Sequence, residues 1–162
     1  MALCKYKNMK AKYNLSKKSR TKKDIKYVVI HYTGTEASAM NNIKYFKGGD
    51  HGASADFFLD DTGIYKFNPN IKKYYSWHCG DGHGKYGITN ANSIGIEVVS
   101  SGKAYTEKEI IHLRKLITWL HKHYGEFKIV RHWDASRKRC PYYYCGSTAA
   151  DNRWKKLLTK IS

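Results

Sequence analysis

A chain of 162 residues with a 41% hydrophobic and 14% aromatic share has enough apolar side chain for one folded core, and its composition is not that of a disordered protein. No apolar run approaches the roughly 20 residues that a membrane helix needs, so no transmembrane segment is expected. Thirty Lys and Arg against 13 Asp and Glu leave a net charge of +17, which attracts nucleic acid, anionic lipid or anionic wall polymer in a salt-dependent way and by itself selects no function.

In chain order, residues 1–23 come first as a basic arm. Lys5, Lys7, Lys10, Lys12, Lys17, Lys18, Arg20, Lys22 and Lys23 stand there with no acidic residue among them and no apolar stretch of the kind that marks a secretory signal. Residues 24–162 read as one domain. "IKYVVIHY" (25–32) is β-branched and aromatic, and predicts a buried strand. Residues 37–49 suit a short helix stopped by Gly48 and Gly49, and residues 55–68 a hairpin turning at Asp61, Thr62 and Gly63. The stretch 70–91 is rich in Gly and aromatic residues without periodicity, and a loop that long in a compact domain is more often functional than idle. Residues 92–100 predict a second apolar strand. Thr106 and Glu109 form a capping box ahead of Ile110, Leu113, Ile117, Leu120 and Tyr124, with Gly125 at the stop, and so mark the clearest helix. A strand over 127–132 and a closing helix over 148–161 complete an α/β domain with a central mixed β-sheet flanked by helices.

Two histidines, His31 and His132, fall at the ends of predicted strands, and Cys140 follows His132 after a loop of ordinary length. Strand ends are stiff and the loop can fold back, so the three side chains can meet. Two imidazoles and a thiolate suit one tetrahedral zinc ion, and three protein ligands leave a fourth position open, as in a catalytic site. Such a metal makes a hydroxide nucleophile available near neutral pH. Each residue taken alone has a plainer reading: His31 as a core histidine, Cys140 as an inert thiol, Lys138 as one surface lysine among many. The set is what carries the inference. The four cysteines (Cys4, Cys79, Cys140, Cys145) show no disulfide-framework spacing and are read as reduced thiols, with one or more on metal.

With "VVIHYTGT", "NSIGIEVVS" and "RHWDASRKRCP" in this order, the chain from about Tyr27 onward resembles the type 2 N-acetylmuramoyl-L-alanine amidases, which include phage endolysins and bacterial wall hydrolases and are related to peptidoglycan recognition proteins. The resemblance implies that His31, His132 and Cys140 hold zinc, and that Glu97 takes a proton from the attacking water and returns it to the leaving amine. It also implies that Lys138 stabilises the tetrahedral oxyanion. The plainer reading of Glu97 is a strand-edge carboxylate paired with a lysine. "YSWHCG" (75–80) resembles the family's loop beside the zinc. Trp77 and His78 are expected to wall the substrate and Asn92 and Ser93 to bond its peptide backbone, with a structural aromatic as the alternative for Trp77. Thr33 and Asp134 are expected to support the ligating histidines.

The chain departs from the family at Ala55, where some phage enzymes carry a catalytic tyrosine, and at Asp56, where most carry histidine. The first departure puts the acid–base work on Glu97; Asp56 is expected to line the groove or orient a ligand. The resemblance implies cleavage of the bond between N-acetylmuramic acid and L-alanine in bacterial peptidoglycan. The expected protein is a monomeric phage or prophage endolysin made in the host cytoplasm without a signal peptide and acting on the wall after release, with the basic surface drawn to anionic wall polymers. A bacterial autolysin is also consistent. Two rivals differ in class. A non-catalytic peptidoglycan binder would commonly lack the ligand that Cys140 supplies. A nucleic-acid-binding protein with structural zinc would need a fourth ligand, for which Cys145 is nearest.

Overall fold

The computed structural model describes residues 13–162. Five strands form one mixed sheet: β1 (Tyr27–Tyr32), β2 (Phe57–Asp60), β3 (Gly63–Lys66), β4 (Ser93–Val98) and β5 (Lys128–Arg131), in the order β3-β2-β4-β1-β5. β1 runs parallel to both β4 and β5, β2 runs parallel to β4, and only the β2–β3 hairpin is antiparallel. Four helices, α1 (Ala39–Gly48), α2 (Glu107–Tyr124), α3 (His132–Ser136) and α4 (Thr148–Ile161), cover the sheet.

The period-2 alternation of the strands decides which face each residue meets. Val28 and Ile30 of β1, Phe57 and Leu59 of β2, and Ile94, Ile96 and Val98 of β4 pack against Leu113, Leu116, Ile117 and Leu120 of α2 and Trp154 and Leu157 of α4. The intervening residues point to the opposite face, where Phe58 joins Ile43 of α1, and Val29 joins Cys79, Ile88 and Ala135. His31, Gly95 and Glu97 alternate onto this second face, so the chemistry-bearing residues share one side of the sheet.

Helix α2 starts as its capping box requires. Thr106 Oγ1 accepts from Glu109 N at 3.2 Å while Glu109 Oε2 accepts from Thr106 N at 2.7 Å, and Gly125 at φ 85° closes the other end. Helix α1 begins at Ala39, after Ser38 caps it by accepting from Asn41 N. His132 is the first residue of α3 instead of the last of a strand, because the ladder with β1 ends at Arg131 and the chain turns there into a helix. The 70–91 stretch contains a single short 3-10 turn, Gly80–Gly82.

The boundary expected at residue 23 does not coincide with a break in packing. Leu15 bridges to Ser76, Ser16 N donates to Tyr75 O, and Arg20 N donates to Lys73 O. The Asn14 side chain, 2% exposed, donates to Phe46 O and Gly49 O and accepts from His51 N. Residues 13–20 therefore belong to the body of the domain. The remainder of the basic arm, residues 1–12, lies outside the described residues. No helix among the described residues is long and apolar enough to cross a membrane.

Candidate active site

His31, His132 and Cys140 come together at the carboxyl edge of the parallel strands, where ligand sites of open α/β sheets form. β1 delivers His31, the end of β5 delivers His132, and the loop after α3 returns so that Trp133 N donates to Cys140 O at 2.8 Å. All three side chains are buried, and their candidate ligand atoms lie within 4.8 Å of one another. His31 Nδ1 is 3.7 Å from Cys140 Sγ, and the His31 and His132 rings are 4.6 Å apart.

The donor chemistry fits one zinc ion: two neutral imidazoles and one thiol converge, and each histidine has its other nitrogen engaged, His31 Nε2 with His78 Nδ1 at 3.0 Å and His132 Nε2 with Asp81 Oδ1 at 2.8 Å. Burial, reinforced by the neighbouring imidazoles, holds His31 well below its ordinary value, and burial lowers His132 despite Asp81. Burial pushes the Cys140 thiol up, so metal binding here displaces a proton from sulfur.

The triad opens into a cavity of about 280 Å³ that is also lined by Glu97, Lys138, Arg139, Trp77 and Phe46. Glu97 is the register neighbour of His31 on β4. Its Oε2 is buried without a hydrogen-bond partner, and burial raises the carboxyl to about 8, with Lys138 pulling the other way. A half-buried acid with an unpaired oxygen, lining the same cavity as the three candidate metal ligands, is placed to exchange a proton with a water or substrate there. Lys138 is exposed at the rim, 3.9 Å from Asp81 Oδ2.

A family model described as N-acetylmuramoyl-L-alanine amidase matches residues 21–143. The chain belongs to this amidase family. Among curated relatives, the N-acetylmuramoyl-L-alanine amidase CwlA of Bacillus subtilis (strain 168) is 29% identical over 165 residues, which covers 99% of this chain and 58% of CwlA. The amidase XlyB of the same organism is 30% identical over 139 residues, covering 83% of this chain and 41% of XlyB. The chain thus spans about half the length of the curated amidases it matches. The solved catalytic domain of XlyA has a TM-score of 0.73 at 26% identity, covering 93% of this chain and 94% of that one. The PlyL structure has a TM-score of 0.74 at 22% identity, covering 92% and 89%, and shows the shared fold.

The other sequence-derived site residues of this amidase-family chain fall in different places. Trp77 is half-buried and lines the cavity. His78 reaches the cavity too, but both its ring nitrogens are engaged, with His31 and with Ser93 Oγ. Ser93 is fully buried, and Asn92 bonds Thr89 N and Gly87 O inside the loop; neither lines the cavity, so neither is free to bond substrate there. Asp56 does not line the groove. It is fully buried and accepts from Asn68 Nδ2, Ser76 Oγ and Gly95 N, with Arg20 3.8 Å away. Thr33 lies at the cavity wall and ties Thr35 to Ser100, without touching a histidine ring. Asp134 accepts from Arg131 N and pairs with its guanidinium, which fixes the start of α3 and so supports His132 through the backbone.

Asp81 is the partner that reading the sequence missed. Its only signal is an acid three positions after His78 in a Gly-rich loop, and nothing in spacing joins it to His132. Cys79 and Cys145 are buried free thiols outside the triad; Cys4 lies outside the described residues.

Proposed function

We propose that this chain is a zinc-dependent N-acetylmuramoyl-L-alanine amidase that hydrolyses the amide between N-acetylmuramic acid and L-alanine in bacterial peptidoglycan. The observation that carries the reading is the buried His31–His132–Cys140 set opening onto the same cavity as Glu97 and Lys138. His31, His132 and Cys140 would hold one zinc ion, which when bound supplies Lewis-acid polarisation of the scissile carbonyl and acidifies a water. Glu97 takes the proton from the attacking water on its unpaired oxygen and returns it to the leaving L-alanine amine. Lys138 supplies a cation for the charge that grows on the carbonyl oxygen. Trp77 and Phe46 offer apolar walls for the sugar and stem peptide.

The complete ligand set weighs against a non-catalytic binder. A structural-zinc protein is also disfavoured, because Cys145 stands outside the cluster and the three ligands face an open cavity. The biological role we infer is that of a monomeric phage or prophage endolysin, with the +17 charge drawing it to anionic wall polymers. Made in the host cytoplasm, it would reach the wall after release.

The test uses purified peptidoglycan stripped of teichoic acid. Zinc-loaded protein should release new N-terminal alanine without new reducing sugar. Chelator should abolish that release and zinc restore it, and Cys140→Ser should lack it. Reducing sugar as the product, or full activity after chelation, would overturn the reading.

A further inference from the structure

Behind the metal ligands runs a chain of hydrogen bonds whose direction is set at one end. The Thr89 carbonyl can only accept, so the Ser93 hydroxyl, 2.5 Å away, donates to it. With its hydrogen spent there, Ser93 Oγ accepts from His78 Nε2–H at 3.1 Å. A neutral imidazole carries one N–H, which leaves His78 Nδ1 as an acceptor. The 3.0 Å contact between His78 Nδ1 and His31 Nε2 is therefore a bond donated by His31. His31 Nδ1 is left with its lone pair, and this is the nitrogen that faces Cys140 Sγ.

We infer that Ser93 and His78 are positioning residues that preset His31 in the Nε2–H tautomer and aim its Nδ1 lone pair at the metal. This assigns both residues a task other than contacting substrate, and it rests on the metal reading above. The surrounding structure is built to hold the relay still. A Cβ on Gly95 would lie 2.6 Å from the His78 ring, so a residue without a side chain is required beside it on β4. Gly95 N donates to Asp56 Oδ2, and Arg20 Nη1 donates to the Ser93 carbonyl, pinning the backbone on both sides. Asn90 Oδ1 accepts from both His78 N and Cys79 N, fixing the loop that carries the ring. Outer partners of this kind typically change metal affinity by 10- to 100-fold when removed.

The experiment is long-range proton–nitrogen NMR of the histidine rings in the full chain, metal-free and near neutral pH, combined with chelator-competition measurement of zinc affinity. His31 and His78 should both carry their proton on Nε2 in the parent. Ser93→Ala should mix the His78 tautomers and weaken zinc binding about tenfold. His78→Phe keeps a ring against Gly95 but removes both nitrogens, and should weaken binding 10- to 100-fold while circular dichroism shows a folded domain. Ser93→Thr, which restores the hydroxyl, should recover affinity. A merely structural role would lower the melting temperature and leave tautomers and affinity unchanged. A proton on His31 Nδ1 in the metal-free parent, or parental zinc affinity in both folded variants, would overturn the inference. If the parent binds no zinc, the metal reading fails, and the tautomers of the metal-free chain still decide the relay.

Discussion

Replacing Arg20 by Met should cost this domain several kcal/mol, although Arg20 belongs to the stretch that reads by sequence as a basic arm. Arg20 is 5% exposed, and its guanidinium donates to Ile71 O at 2.8 Å, Asn90 O at 3.2 Å and Ala91 O at 3.3 Å, bonds the Ser93 carbonyl, and lies 3.8 Å from Asp56 Oδ1. Methionine fills much of the volume but leaves those carbonyls short of a donor and a fully buried Asp56 without its cation. Breaking one side of a buried pair costs about 3–5 kcal/mol. Asp56 keeps three donors, from Asn68, Ser76 and Gly95, which puts the loss at the low end, about 3 kcal/mol. At about 2–4 °C per kcal/mol for a domain of this size, the melting temperature should fall by roughly 6–12 °C. Thermal unfolding followed by circular dichroism on metal-free protein would measure it. Arg20→Lys, with a point charge in place of the fork, should fall between the two, and deletion of residues 1–20 should lose at least as much as Arg20→Met. A shift under about 2 °C for Arg20→Met would refute the reasoning, because it would mean that the buried network contributes less than 1 kcal/mol.

Asp81→Asn should weaken zinc binding about tenfold by chelator competition, since His132 keeps a neutral acceptor but loses the carboxylate, and the half-exposed position of Asp81 limits the effect. Unchanged affinity would remove Asp81 from the site. In metal-free protein the Glu97 carboxyl sits at about 8, above its ordinary 4.5, so the unfolded chain ionises first and stability falls as pH rises from about 4.5 to 8. Glu97→Gln should therefore be more stable than the parent at pH 8, by up to a few kcal/mol, with the gap closing near pH 4.5; a gap that does not change with pH would show that Glu97 is not held in a desolvated state. Gly82→Ala would place a Cβ 2.1 Å from Ala135 O, backbone that cannot step aside, so it should destabilise the domain by about 1–3 kcal/mol and reduce zinc affinity as Asp81 is pushed off His132. Parental melting and zinc titration curves would disprove that close approach.

Periodic features were legible in the sequence. The capping box of α2 and its apolar repeat predict the helix nearly to the residue, and the β-branched runs predict β1 and β4 because strand burial leaves a mark in every second position. That His31, His132 and Cys140 come together was legible because they sit on or beside those strands. Partners joined only through folding were not. Asp56 reads as a groove residue since nothing local shows that Arg20 will reach it, and Ser93 reads as a substrate contact since its hydroxyl turns inward to His78. Asp81 stands in a loop without periodicity, and its role depends on a histidine 51 positions away. Residues 13–20 read by charge as part of the basic arm, yet Asn14 and Arg20 are among the most buried polar residues, because their side chains satisfy carbonyls that would otherwise lack donors.

The parallel pairing of β1 with β5 has a consequence for how the protein comes into being. His31 and Cys140 are 109 positions apart, and nothing shorter than the finished β1–β5 ladder brings their donors together. His132 and Cys140, eight positions apart, can meet locally, but the third donor waits for β1 to pair with β5. A zinc ion held by all three would therefore complete its ligand set only on the paired sheet. It would then add its binding free energy to that state, about 4 kcal/mol when free metal stands a thousandfold above its dissociation constant.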